Sequence, residues 1–369
     1  MTQTPDLIVV GGGPVGLACA GELARTGRKV LVIEAGEARG EAWRAAAGML
    51  AAQAGSHHED PLLELSVAGR ERYAEIGPLL LEHTGVDIGL HLEGIARVAT
   101  DEEEATSLRA TVGWQRQQGH LCDWYTAAEV RTRWPWLCPT QGCLWAPRDG
   151  ALDPIRLVEA LQAEAQHLGV TIVRDRVVGL DRLGDRIGGV RGTSTYTAGD
   201  VVIAAGAWSR EITGLPRPVS VEPIRGQMAA LTWPDGVPPA IIIGRSTYIV
   251  PRAGEALLGS TMEHAGFAPE VSAAGIAEIF TGATALCPAL ARGAVLRTWA
   301  GLRPVTPDGL PIVGREPRLD GLWYATGHGR NGILLAAVTG ALLARLINGD
   351  EDAGELAPLR PERFWDWQA

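Results

Sequence analysis

The sequence predicts an α/β fold, α+β overall: a Rossmann-like dinucleotide-binding domain joined to a second domain built on an antiparallel sheet. Three observations lead there. The buried-strand run "DLIVV" at residues 6–10 passes through "GGGPVG" into "LACAGELARTG", which has helical apolar spacing and stops at Gly27, and "KVLVIE" follows as a second strand. This is a βαβ unit of the expected size. Residues 221–262 read as several short strands with turns, including "TYIVPR" and "ALLGSTM". Motifs of the nucleotide fold continue to residue 347, so the chain leaves the first domain, builds a second, and returns.

The elements follow in order. Residues 43–52, "WRAAAGMLAA", are small and apolar, 61–85 are helical, and 86–150 are mixed, Trp-rich and short. "DPIRLVEALQAEAQHLG" is a helix with Asp153 as N-cap, Pro154 at its first position and Gly169 as its stop. Strands come at 170–174 and 186–191, then "GDVVIAAGAWS", a buried strand ending in a turn at Gly206. A helix covers 272–286, another runs from Ile333, and the tail from about 350 is polar with prolines. The predicted division is 1–65, 150–220 and 300–369 for the cofactor domain, and 66–149 and 221–299 for the substrate domain.

With 369 residues, 46% hydrophobic and 21% charged, the chain has enough apolar content for two cores and too much for disorder. The net charge of -10, with no run of Lys and Arg, excludes a backbone-driven nucleic-acid binder. Five cysteines without a CxxC spacing point to free thiols in a reducing compartment. "MTQTPDLIVVGGG" lacks the basic-then-apolar pattern of a secretion signal. The apolar run from Ile333 meets Arg345 within about 13 residues, too few to span a bilayer. The expectation is a cytoplasmic protein with no membrane partner. "HHED" at 57–60 reads as a solvated loop, and no metal is expected.

Gly11, Gly13 and Gly16 fit GxGxxG between the strand and the helix, and Glu34 closes the second strand. The glycines permit a tight turn and close approach to a pyrophosphate. Pro14 and Val15 open a helix whose unpaired N–H groups attract the anion, and Glu34 can accept from ribose hydroxyls. An NAD enzyme would continue with regular βαβ units. Here "AGEARGEAWRAAAGML" follows, and its small residues, with Ala35, Ala42 and Trp43 among them, suit a backbone running along a flavin. The late turn "GHGRNG" supports FAD. It comprises His328, Gly329, Arg330, Asn331 and Gly332, and Ile333 and Leu334 continue it as a helix whose N-terminus would stabilise negative charge on a reduced flavin.

The sequence resembles the glycine oxidase family, within the D-amino-acid oxidase superfamily of FAD-dependent oxidoreductases. The motifs are "AAAGML" at 45–50, "YIVPR" at 248–252 with "GSTM" at 259–262, "WAGLRPVTPDGLPIVG" at 299–314 and "ATGHGRNGILLAAVTG" at 325–340. With "VVGGGPVG" and "VVIAAGAWS" they cover essentially the whole chain. The resemblance implies non-covalent FAD and a substrate domain whose antiparallel sheet roofs the flavin. It implies that Arg303 holds a substrate carboxylate with help from Tyr248, that Arg330 sits over the flavin, and that Met262 lines the pocket. Ala47, Gly48 and Met49 would contact the flavin, Val178 would lie near its adenine half, and Gly206 would join the cofactor set.

A guanidinium suits the carboxylate role because its planar fork binds bidentately and stays charged. The implied reaction moves a hydride from Cα to flavin N5 and gives an imine, then a 2-oxo acid plus ammonia or an amine, with peroxide from reoxidation by oxygen. It would act on glycine or a small amino acid or secondary amine of the sarcosine or D-alanine type, and its imine would be available to thiamine biosynthesis. Two alternatives stand: a dehydrogenase of D-amino acids or secondary amines with another electron acceptor, and a non-catalytic flavin-fold protein. Oligomeric state stays open, a homo-oligomer included. Three positions depart from the family pattern: Ser246 replaces a histidine, Gly329 an aromatic, and Trp43 a small hydroxyl residue. The first two predict an enlarged pocket.

Overall fold

The computed structural model describes residues 4–36, 40–350 and 354–364, the Glu355 side chain excepted. The parts of the predicted boundaries, of the "AGEARGEAW" stretch and of the tail that fall on 1–3, 37–39, 351–353 and 365–369 lie outside the described residues.

The βαβ unit forms as Leu7–Val10, Pro14–Arg25 and Val30–Glu34. Its strands pair in parallel at the centre of a six-stranded sheet. The order is Ile312–Arg315, Leu322–Thr326, Asp200–Ile203, Leu7–Val10, Val30–Glu34, Thr171–Arg174, and only the Ile312–Arg315 edge is antiparallel. Burial on both faces explains the uninterrupted apolar runs "LIVV" and "VLVI".

On one face pack Pro14–Arg25, Pro154–His167, Leu63–Thr84 and Gly332–Ile347. Gly340 lets the last of these close on the first, since a Cβ there would lie 2.8 Å from the Ala18 carbonyl oxygen. Tyr73, fully buried, donates to the Ile333 carbonyl at 2.5 Å and fixes the start of the late helix. Together with the turn before it, the apolar helical span Gly329–Ile347 has 19 residues, long and apolar enough by length and composition to cross a membrane and longer than the run of about 13 expected from the sequence, yet 67% of its apolar window is buried in the core. Asp153 caps Pro154–His167 through bonds to Ile155 and Arg156 N–H, and Gly169 takes φ +86° just past its end.

The second sheet has eight strands, from the edge Val295–Val305 through Glu222–Thr232, Glu255–Gly259, Tyr248–Arg252, Ile241–Ile243, Ile95–Ala99 and Gly142–Ala146 to Asp123–Thr126. Its neighbours are antiparallel except Ile241–Ile243 with Ile95–Ala99, which run parallel because they come from separate excursions of the chain. Two predicted boundaries cut across this arrangement. Residue 300 lies inside the strand Val295–Val305, which stays paired with Glu222–Thr232 along its length. Leu63–Thr84, placed with the second sheet from residue 66, packs instead on the helical face of the first. Within 86–150, read as short mixed elements, Glu102–Gln117 is a full helix capped by Asp101.

Candidate active site

A cavity of about 790 Å³ is lined from both sheets. At its nucleotide end the first strand delivers the chain into Gly11, whose φ is +111° and whose Cβ would lie 2.5 Å from the Ala204 carbonyl oxygen. Gly16 does not line the cavity. Its missing Cβ would stand 2.0 Å from the Gly11 carbonyl oxygen, so it lets the helix close onto the turn. Gly13 caps Pro14–Arg25 without a side-chain bond, which leaves first-turn N–H groups for an anion. Gly13, Pro14 and Val15 all face the cavity. Glu34 accepts from Gly12 N–H at 2.5 Å and Gly36 N–H at 3.0 Å, so the predicted ribose acceptor also holds the turn. Each of its oxygens keeps a second lone pair.

The middle of the cavity is made where three sequence motifs meet. Arg252 donates to the Ala47 carbonyl and, at 2.7 Å, to the Leu152 carbonyl. Gly48 sits at φ +80°, and a Cβ there would stand 2.0 Å from the Leu152 oxygen. Trp299 Nε1 donates to the Ala45 carbonyl at 3.2 Å, and Gly301 lets that short helix, Ala42–Ala45, approach the sheet. Ala35, Ala42, Trp43, Ala47, Gly48, Met49, Val178 and Gly206 all line the wall. Trp43 lies against Gly13, 3.7 Å from where its Cβ would be, at the nucleotide end.

The late turn forms a 3-10 segment, Gly329–Asn331, that runs into Gly332–Ile347. Asn331 caps that helix without a side-chain bond, so it too offers N–H groups to the cavity, which Gly332, Ile333 and Leu334 line. His328 lines the same wall but is buried, with Nε2 3.1 Å from Thr339 Oγ1, and burial pushes its pKa down to about 4. Gly329 takes φ +53°, and a Cβ there would meet nothing within 4 Å.

At the other end stand the side chains expected at the substrate. Arg303 donates through Nη2 to Ser260 Oγ at 2.5 Å and through Nη1 to the Thr261 carbonyl at 3.0 Å, with Met262 Sδ 3.5 Å away. Met262 itself is 64% exposed. Tyr248 opens the strand Tyr248–Arg252, opposite Gly259 of the adjacent Glu255–Gly259, and its hydroxyl donates to Met228 sulfur at 3.0 Å. Burial raises the Tyr248 pKa, partly offset by the charge of Arg303. Arg303 is pressed below the usual arginine range by burial, with the like charge of Arg330 adding to it and Tyr248 opposing it. Arg330 donates to the Gly55 carbonyl at 2.9 Å.

Several functional positions escaped the sequence reading. Gly226 and Gly259 leave the space that Arg303 and Tyr248 fill. Asp149, fully buried, accepts from Gln53 and Ala54 N–H at 2.9 and 2.8 Å and pairs with buried Arg70 at 2.8 Å, which fixes the 53–55 segment beside the cavity. Arg97 also lines the cavity, and its signal was present as a lone cation in the strand run "IARVA".

The cavity suits FAD. The glycine cradle, two helix N-termini free of side-chain caps and the small-residue wall between them supply an anion site, a second electropositive edge and close backbone approach for an extended ligand.

Comparison with known proteins agrees. Residues 6–346 match the family described as "FAD dependent oxidoreductase" (DAO). Glycine oxidase of Geobacillus kaustophilus is 36% identical over 97% of both chains, and that of Bacillus subtilis is 31% identical over 95% of both. A bifunctional ThiO/ThiG protein of Nostoc is 35% identical, with 94% of this chain aligned to 53% of that protein. The crystal structure of the G. kaustophilus glycine oxidase superposes with a TM-score of 0.93 at 34% identity, covering 97% of this chain and 98% of the other. The chain belongs to the FAD-dependent oxidoreductases of the DAO family and, within them, to the glycine oxidase branch. It is an enzyme and uses FAD.

Proposed function

We propose that the protein oxidises glycine or a small amino acid or secondary amine of the sarcosine or D-alanine type, with FAD held non-covalently and oxygen as the final acceptor. The reading rests on one observation above the others: Arg303, a guanidinium with no carboxylate partner among the described residues, faces the cavity that begins at the dinucleotide turn. Bound FAD supplies the hydride acceptor and afterwards passes the electrons on. The protein's own residues bind and orient. Arg303 takes the substrate carboxylate through its fork, held in place by Ser260 and the Thr261 carbonyl, and the Tyr248 hydroxyl adds a donor by turning its proton from Met228 sulfur to the carboxylate. Met262, on the cavity wall, lies against Arg303.

No general base is assigned. His328 is neutral and engaged with Thr339, and the arginines around the cavity disfavour an ammonium. The substrate amine therefore reacts neutral. Within this reading the first sheet with its helices serves the cofactor and the eight-stranded sheet serves the substrate. The bifunctional ThiO/ThiG relatives support a place for the product imine in thiamine biosynthesis.

The test is to incubate the purified holoenzyme in air with glycine, sarcosine and D-alanine, and to measure peroxide together with ammonia or methylamine. Equimolar peroxide and amine are expected. Amine release that requires an added dye and yields no peroxide would replace the oxidase by a dehydrogenase.

A further inference from the structure

The substrate end of the cavity holds more positive charge than one carboxylate needs. Arg97, Arg303 and Arg330 all line it, and none forms an ion pair with a carboxylate among the described residues. The other basic residues on the wall are neutralised: Arg245 by Asp101 and Glu104, and Arg176 by Glu211. Arg97 and Arg330 are close neighbours because they hang on consecutive carbonyls. Arg97 Nη1 donates to Ala54 and Ser56 oxygens at 3.4 and 3.1 Å, and Arg330 Nη2 donates to the Gly55 oxygen between them. These bonds use one nitrogen of each fork, and the remaining donors have no protein partner among the described residues. Burial and the charge of Arg330 both press the Arg97 pKa down, with Glu104 offsetting part of this.

Arg97 is half-buried and Arg330 exposed; holding the half-buried, unpaired Arg97 guanidinium beside a second positive charge is unfavourable unless an anion joins them. The segment that positions both is itself held by buried Asp149. Ser246 and Gly329 leave room at the same end, since both line the cavity and a Cβ on Gly329 would meet open space. Of the acidic wall residues, Glu34 holds the Gly12 and Gly36 N–H groups, Glu41 pairs with Arg44, Asp175 accepts from Thr193 and Ser194 N–H, Glu211 pairs with Arg176 and Glu263 with Arg225, while Glu278 is exposed on the helix Ala273–Leu286.

We propose that Arg97 and Arg330 form a second carboxylate subsite, so that the substrate class includes small amino acids or secondary amines carrying a second carboxylate. This rests on the amine-oxidation reading above. Arg303 takes the α-carboxylate, and the Arg97–Arg330 pair takes a carboxylate borne on the amine nitrogen or on Cα. Arg97 is the specificity residue, because Arg330 already belongs to the site for simple substrates.

Two measurements on the FAD-loaded enzyme test this. The first needs no turnover: the flavin absorbance is titrated with diglycolate, a non-oxidisable diacid, and with methoxyacetate, its monoacid counterpart. Diglycolate should bind at least about tenfold more tightly, the scale of one charge-assisted hydrogen bond, and Arg97→Gln should abolish the difference. The second compares kcat/KM for N-(carboxymethyl)glycine with its amide, N-(carbamoylmethyl)glycine, and for D-aspartate with D-asparagine. The diacid of one pair should lead by a similar factor, which shows whether the second carboxylate sits on nitrogen or on carbon, and Arg97→Gln should bring that ratio down about tenfold. Glutamine keeps a donor for the 54 and 56 carbonyls, and FAD content and Tm check that the variant is folded. Equal binding of diglycolate and methoxyacetate, an unchanged ratio in Arg97→Gln, or loss of FAD from that variant would overturn the subsite. Tight diglycolate binding lost in the variant, with no amine oxidised, would keep the subsite and overturn the oxidation reading instead.

Discussion

Arg303 occupies the place where Gly226 has no side chain. A Cβ on Gly226 would stand 2.0 Å from Arg303 Nη1 and 2.3 Å from its Cζ, across two strands that pair with Ile224 opposite Arg303. The side chain expected to bind the carboxylate thus depends on an absence in the next strand. Gly226→Ala should displace the guanidinium from Ser260 and Thr261, raising KM for the amine substrate by about tenfold or more while FAD content is retained. An unchanged KM would show that Arg303 does not need its present position.

Arg303→Lys keeps the charge and loses the fork. Substrate binding should weaken by about 2–3 kcal/mol, roughly 30- to 150-fold, with normal flavin occupancy. Titration of the holoenzyme with a non-reactive carboxylate, followed through flavin absorbance, measures this directly. Equal affinity in both proteins would place the carboxylate elsewhere.

Pocket volume is the next consequence. Ser246 and Gly329 are smaller than the family pattern, and Trp43, facing Gly13, does not stand in the gap. Each buried methylene contributes about 0.8 kcal/mol, so one or two should favour N-alkylglycines or small D-amino acids over glycine by roughly 4- to 15-fold in kcat/KM. Gly329→Tyr should reverse that preference. Its left-handed backbone adds strain of order 1 kcal/mol, which a Tm measurement will register. A wild type that strongly prefers glycine and a Tyr variant with the same preference would rule out the enlarged pocket.

His328 links stability to acid. Its folded pKa, about 4, lies below the ordinary value of 6.5, so between these pH values the unfolded chain binds the extra proton. The contribution is fully present above pH 6.5 and is lost as pH falls toward 4, to a total of about 3 kcal/mol. Chemical denaturation from pH 7 to 4 should therefore show a steeper loss for the wild type than for His328→Gln. Parallel curves would place the acid sensitivity in other groups.

The sequence was legible where chemistry is local. The βαβ unit, the Asp153–Gly169 helix and the late glycine turn announce themselves through caps, stops and periodicity, and they place most of the cofactor wall. What stayed hidden depends on contacts distant in sequence. Arg70 and Asp149 pair across 79 residues, and neither neighbourhood marks the other. Gly226 looks like any strand glycine until Arg303 is set beside it. Glu102–Gln117 escaped notice because its buried face mixes Ala105, Leu108, Thr111, Val112 and Gln115, a weak apolar stripe. Glu34 was read as a ligand for ribose, and its bonds to Gly12 and Gly36 emerge only from the folded turn.

The central claim is that this cavity brings a small amine against FAD for oxidation, with Arg303 as the anchor. The most direct measurement is anaerobic mixing of the yellow holoenzyme with glycine, sarcosine, N-ethylglycine, D-alanine and D-proline in turn, watching the flavin absorbance. At least one should bleach it within the time of turnover, and Arg303→Leu, with FAD still bound, should slow that bleaching severely. Retention of full colour with every amine, or equal bleaching in the Leu variant, would contradict the account.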